Sequence, residues 1–202
     1  MKQAAAHVVA LGFAVLLLLL AAVPAGAASI TIMNINLAAI GFNDPTPVAP
    51  VAGNAGTTLG QQRLNVFMAA AAYWSNRLVS SVPIIVSAQM VPLVCTPTSA
   101  LLGSAGPDEI DSDFPNAPRA ATWYAVSLAS SLAGADVDPT APDIDARFST
   151  NLDNNPACLG GIHWDYSIGG TAPLHTIPFY QTVLHELAHG LGFITTVNLT
   201  TG

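Results

Sequence analysis

The sequence predicts an α+β domain in which a mixed, twisted sheet carries two long helices, and three observations point to it. Residues 59–80 repeat apolar side chains at helical spacing, and residues 183–193 spell a second helix with one apolar side. Residues 29–37, 84–91 and 144–150 carry the alternation or β-branched runs of strands. At 202 residues there is enough chain for one sizeable core, and no change of composition marks a second domain.

The chain starts with Met1 and Lys2, then runs almost unbroken through apolar residues 8–23, and reaches small residues at Ala25, Gly26 and Ala27. That outline reads as a signal peptide over residues 1–27, too short for a bilayer span, with the domain at 28–202. It predicts a secreted or periplasmic protein that leaves the membrane after cleavage. Without Lys2 the basic complement is Arg63, Arg77, Arg119 and Arg147 against 12 acids. Nucleic acid and anionic membrane surfaces are excluded as natural partners. Cys95 and Cys158 are the two cysteines, neither in a CxxC pair, and in an exported chain they are expected to form a disulfide.

Each element follows in order. In residues 29–37, Ile30, Ile32, Asn34 and Asn36 share one side of a first strand. Residues 41–57, with Pro45, Pro47 and Pro50, form a loop. In the helix at 59–80, Leu64, Phe67, Ala71, Trp74 and Leu78 line one face, and the alanines at 69–72 add propensity. After Pro83, residues 84–91 fit a strand buried on both faces. Residues 95–121 are rich in Gly, Pro and acids (Asp108, Glu109, Asp111, Asp113) and read as a surface excursion. A short helix at 121–133 ends at Gly134, a residue suited to a C-terminal cap. Asp136, Asp138, Asp143 and Asp145 lack the glycine and terminal glutamate of an EF-hand loop, so they read as turn residues. Residues 144–150 alternate as a strand with one wet face, and residues 151–175 read as loop.

The chemistry is concentrated in His185-Glu186-Leu187-Ala188-His189, an HExxH motif. Two histidines four apart on a helix lie one turn above each other, so both imidazoles reach one metal ion, the arrangement a tetrahedral zinc takes from a helix. Val183, Leu184, Leu187 and Leu191 give the helix a side to bury, and Pro178 is tolerated in its first turn. Glu186, one of two glutamates in the chain, is placed to act as general base. No serine nucleophile elbow, Walker loop or dinucleotide fingerprint appears.

The stretch HELAHGLGF resembles the active-site helix of the zincin metallopeptidases, in particular their metzincin-like branch, and also secreted bacterial zincin-like proteins that can carry a protease-associated domain. The resemblance implies a zincin-like upper lobe, a Zn2+ cofactor held by His185 and His189, and a hydrolase that cuts protein or peptide substrates with Glu186 as base. It also implies that the strand at 144–150 pairs with the substrate backbone. Where the metzincin pattern has its third histidine, this chain has Thr195, which is not a normal zinc ligand. Two explanations stay open: the lower lobe that supplies the ligand lies beyond this chain, which is then incomplete at its C-terminus, or His163, Asp165 or His175 folds back. An exported, non-catalytic zincin-like binding protein is the rival reading. The sequon Asn198-Leu199-Thr200 matters where exported proteins are glycosylated.

Overall fold

The computed structural model describes residues 26–195, so the expected signal peptide and the sequon lie outside the described residues. The elements, in order, are strand β1 (Ile30–Asn34), helix α1 (Leu59–Ser75), strands β2 (Ile84–Val91), β3 (Gly103–Pro107), β4 (Ile110–Asp111) and β5 (Tyr124–Ala125), helix α2 (Val126–Ala133), strand β6 (Ile144–Ser149), the single turn α3 (Asn151–Asn154), strands β7 (His163–Asp165) and β8 (Thr176–Pro178), and helix α4 (Phe179–Gly190). This is a mixed α+β architecture with a mixed sheet.

The main sheet has the order β1-β2-β6-β3. Its first three strands are parallel, with Ile30 opposite Ile84 and Val86 opposite Ile144, and β3 runs antiparallel to β6 with Ala105 opposite Ala146. Strand β2 is central and mostly buried, as its β-branched run predicts. Both α1 and α4 pack on this sheet and on each other. Between them lies a file of edge-to-face aromatic rings, Phe42, Phe67, Phe148 and Phe179, each centroid 5.2–5.6 Å from the next. Phe179 opens α4 and also meets Trp164 and Tyr166, so the β7–β8 segment fixes where that helix begins.

Four expectations are corrected. Helix α1 stops at Ser75, because the backbone of residues 78–80 is engaged with the chain entering β1 (Ala28 N–H to Leu78 O, Ser80 N–H to Gly26 O). The stretch 95–121 contains β3, whose Gly103 is required because a Cβ there would lie 2.4 Å from the Phe148 ring. Pro107 is tolerated because β3 is an edge strand. Strand β6 has β2 on one side and β3 on the other, so it has no edge for a substrate backbone, and the edge beside α4 belongs to β3. Residues 151–175 hold α3, a 3-10 turn at Cys158–Gly161 and β7 instead of plain loop.

The helical pattern also missed Arg63, whose side chain is fully buried. Its guanidinium donates to Gly41 O at 2.8 Å, Tyr166 Oη at 3.1 Å, Asp44 Oδ2 at 3.3 Å and Asp153 Oδ2 at 2.8 Å. The Tyr166 hydroxyl donates to the same Asp153 oxygen. Burial, with the Asp153 carboxylate adjoining, pushes the Tyr166 phenol well above its ordinary pKa. This network ties the loop before α1, α1 itself, α3 and the turn after β7 into one buried polar knot. The disulfide Cys95–Cys158 is formed as expected, with Cα atoms 5.4 Å apart, and joins the start of the excursion to the segment after α3. Among the described residues no helix is long and apolar enough to cross a membrane.

Candidate metal centre

Helix α4 buries Phe179, Val183 and Leu187 against the sheet and thereby turns positions 185 and 189 outward. The contact with β6 is close: a Cβ on Gly190 would lie 2.5 Å from Ile144 Cγ2. Ser127 of α2 donates to Gly190 O at 2.9 Å and holds the helix end from the other side. Trp74 of α1 donates from Nε1 to Leu184 O at 3.2 Å, beside His185. The helix that carries the motif is therefore braced by α1, α2 and the sheet.

The two imidazoles converge. His185 Nε2 and His189 Nε2 are 3.2 Å apart, and the rings meet edge to face with centroids 4.8 Å apart. Two nitrogens each about 2.0–2.1 Å from one zinc ion at the tetrahedral angle stand about 3.3–3.4 Å apart. The pair is thus spaced as one edge of a zinc coordination tetrahedron, so the two imidazoles would fit a zinc ion as two of its ligands. His189 Nδ1 lies 2.8 Å from Phe193 O, the kind of outer contact that orients a metal-binding imidazole.

Glu186 points differently from its neighbours. Its Oε2 accepts the backbone N–H of Ala105 at 3.1 Å, which ties the carboxylate to β3. The ladder explains the direction of that N–H. Ser149 N–H donates to Leu102 O and Asp108 N–H to Asp143 O, so the even residues of β3 bond to β6 and the odd ones face the edge. The structure therefore brings His185 and His189 together and ties Glu186, their neighbour on the same helix, to the backbone of Ala105.

The proposed upstream ligands are elsewhere. Asp165 Oδ1 accepts from Ser167 N and Oγ, His163 is an exposed residue of β7 near Gly161 O, and His175 precedes β8. Among the described residues no group of three His, Cys, Asp or Glu gathers around one point, so none of the three joins the pair. Thr195 lines an open depression with His189, Gly192, Phe193 and Ile194. The acids of the excursion and of the loop after α2 serve turns: Asp111 accepts from Ser112 N, Asp113 from Ala121 N, Asp136 from Asp138 N and Asp138 from Thr140 N. Asp143 is buried and accepts Ile85 N–H at 2.8 Å, and burial, aided by Asp136 and Asp138, raises its pKa.

No protein-family model, curated protein or solved structure matches this chain. Sequence reasoning missed two contributors to the site, the Ala105 amide and the Phe193 carbonyl, because both are backbone groups. The only signal for the second was the glycine at position 192 after the motif.

Proposed function

We propose that this chain is an exported zinc-dependent peptidase that hydrolyses peptide bonds, with His185 and His189 as metal ligands and Glu186 as general base. The observation that carries the reading is the 3.2 Å approach of the two Nε2 atoms beside a carboxylate anchored on an edge strand. Zinc held there would polarise a scissile carbonyl and bring a water within reach of deprotonation at neutral pH. Glu186, with Oε2 held by Ala105, accepts that water's proton on its carboxylate and returns it to the leaving amine. The extended substrate lies along the β3 edge, where the carbonyl of Ala105 faces outward. The HELAHGLGF resemblance to zincins, the disulfide and the leader pattern of residues 1–27 support the same reading.

The test compares zinc content and peptide hydrolysis in the parent, Glu186→Gln and His189→Ala proteins, all purified without chelators. About one zinc per chain is expected in the first two, and hydrolysis in the first alone. Glu186→Gln is expected to lose on the order of 10²–10⁴ in rate. Undiminished hydrolysis by Glu186→Gln overturns the mechanism. Thr195, standing where the third histidine belongs, favours a second reading as a non-catalytic exported zincin-like binding protein with a degenerate metal site; it predicts no hydrolysis of any peptide.

A further inference from the structure

We infer that Gly192 is a positioning residue that locks His189 in one tautomer, making it a preset ligand, while His185 is left to adapt. The inference rests on the metal-binding reading above and adds which proton each ring carries. Helix α4 ends in a paired turn: Gly192 N–H donates to His189 O at 3.1 Å and Phe193 N–H to Ala188 O at 3.0 Å. The second bond requires the left-handed backbone of Gly192, at φ +111°, because rotation at Gly192 turns the Phe193 N–H back to the helix. Space is not the constraint there, since a Cβ would meet Leu128 Cδ2 at an ordinary 3.4 Å. The requirement is conformational, and an L side chain would strain it.

The turn sends the Phe193 carbonyl back over the last helical turn to His189 Nδ1 at 2.8 Å. A carbonyl has no proton to donate, so the proton of that bond belongs to Nδ1. The neutral ring then presents its lone pair at Nε2, the atom that faces His185. Phe193 is steadied by its ring, 6.2 Å from that of Trp74. His185 Nδ1 has no such acceptor among the described residues. In the metal-free protein His185 therefore carries its proton at Nε2 and donates to His189 Nε2 across the 3.2 Å gap. To present its own lone pair there, His185 shifts that proton to Nδ1 through solvent, with no net proton released; His189 shifts nothing.

The experiment is nitrogen-15 NMR of the imidazoles in metal-free protein at about pH 9, where histidine is neutral, together with zinc affinity from chelator competition. For the parent, the expected result is an Nδ1–H tautomer at His189 and an Nε2–H tautomer at His185. Gly192→Ala is expected to show mixed tautomers at His189 and zinc affinity weaker by about 10–100-fold. Phe193→Ala keeps the carbonyl and is expected to keep the His189 tautomer. An Nε2–H tautomer at His189 in the parent overturns the inference without any variant having to fold. Unchanged tautomer and affinity in Gly192→Ala overturn the role of the turn. A parent with the expected tautomers that binds no zinc supports the lock and sinks the metal reading, so the two fail separately.

Discussion

Replacing Asp153 by alanine tests whether the buried Arg63 is held by its partners. The Arg63 side chain is 0% exposed and that of Asp153 9% exposed, with the two 2.8 Å apart. Removing one member of a buried ion pair costs about 3–5 kcal/mol, because the remaining charge stays out of water. Asp44 remains at 3.3 Å and limits the loss, but the buried Tyr166 hydroxyl also forfeits its acceptor, which by itself costs about 1–3 kcal/mol. These terms overlap, so we expect about 3–5 kcal/mol in all. At about 2–4 °C per kcal/mol for a domain of this size, the midpoint of thermal unfolding falls by about 6–20 °C. The assay is far-UV circular dichroism on oxidised protein, with Asp153→Asn beside it. The amide keeps an acceptor oxygen and is expected to lose less. A midpoint change under about 2 °C in Asp153→Ala would show that Arg63 does not depend on this carboxylate. The double change Arg63→Met with Asp153→Leu, which removes both charges, is expected to recover much of the loss.

Other outcomes follow from the same geometry. Gly190→Ala places a methyl against Ile144 and is expected to destabilise by about 1–3 kcal/mol in urea titration, with partial relief from Ile144→Val. Replacing both Cys95 and Cys158 by alanine opens a 63-residue separation and is expected to cost about 4 kcal/mol by the same measurement. Asp143 has a pKa raised by burial, so its ionisation opposes folding, and that opposition grows as pH rises from the ordinary carboxylate range through the raised value. Asp143→Asn is therefore expected to raise the melting temperature at neutral pH, with the gain vanishing below the ordinary carboxylate range. A gain of equal size at every pH would refute the assignment.

The parts of the fold legible in the sequence are those whose reason is local. The strand at Ile84–Val91 and the helix around the motif declare themselves because periodicity and β-branching act over neighbouring residues. The histidines and Glu186 were legible because the HExxH motif sits within five positions of one helix. The Cys95–Cys158 bridge was legible because two cysteines have one pairing. Strand β3 was not, since Gly103, Gly106 and Pro107 break a strand by composition and are tolerated here because Phe148 packs where a side chain would be and because β3 lies at an edge. The burial of Arg63 was not legible because its partners come from positions 41, 44, 153 and 166, far apart in the chain. The role of β6 was misjudged because it was carried over from the zincin resemblance, and the strand's own alternation does not reveal whether both neighbours are filled.

The contact between Glu186 and Ala105 spans 81 positions in the chain, and α4 is the last of the elements along the described sequence. Both histidines come together as soon as one short helix forms, whereas the carboxylate reaches its anchor only once β6 has paired with β3 and α4 has docked. Long-range closures of this kind are the slow ones in folding. A partly folded molecule thus holds the two imidazoles side by side while the Glu186 carboxylate still lacks its anchor, so the motif is completed in two stages, the local one first.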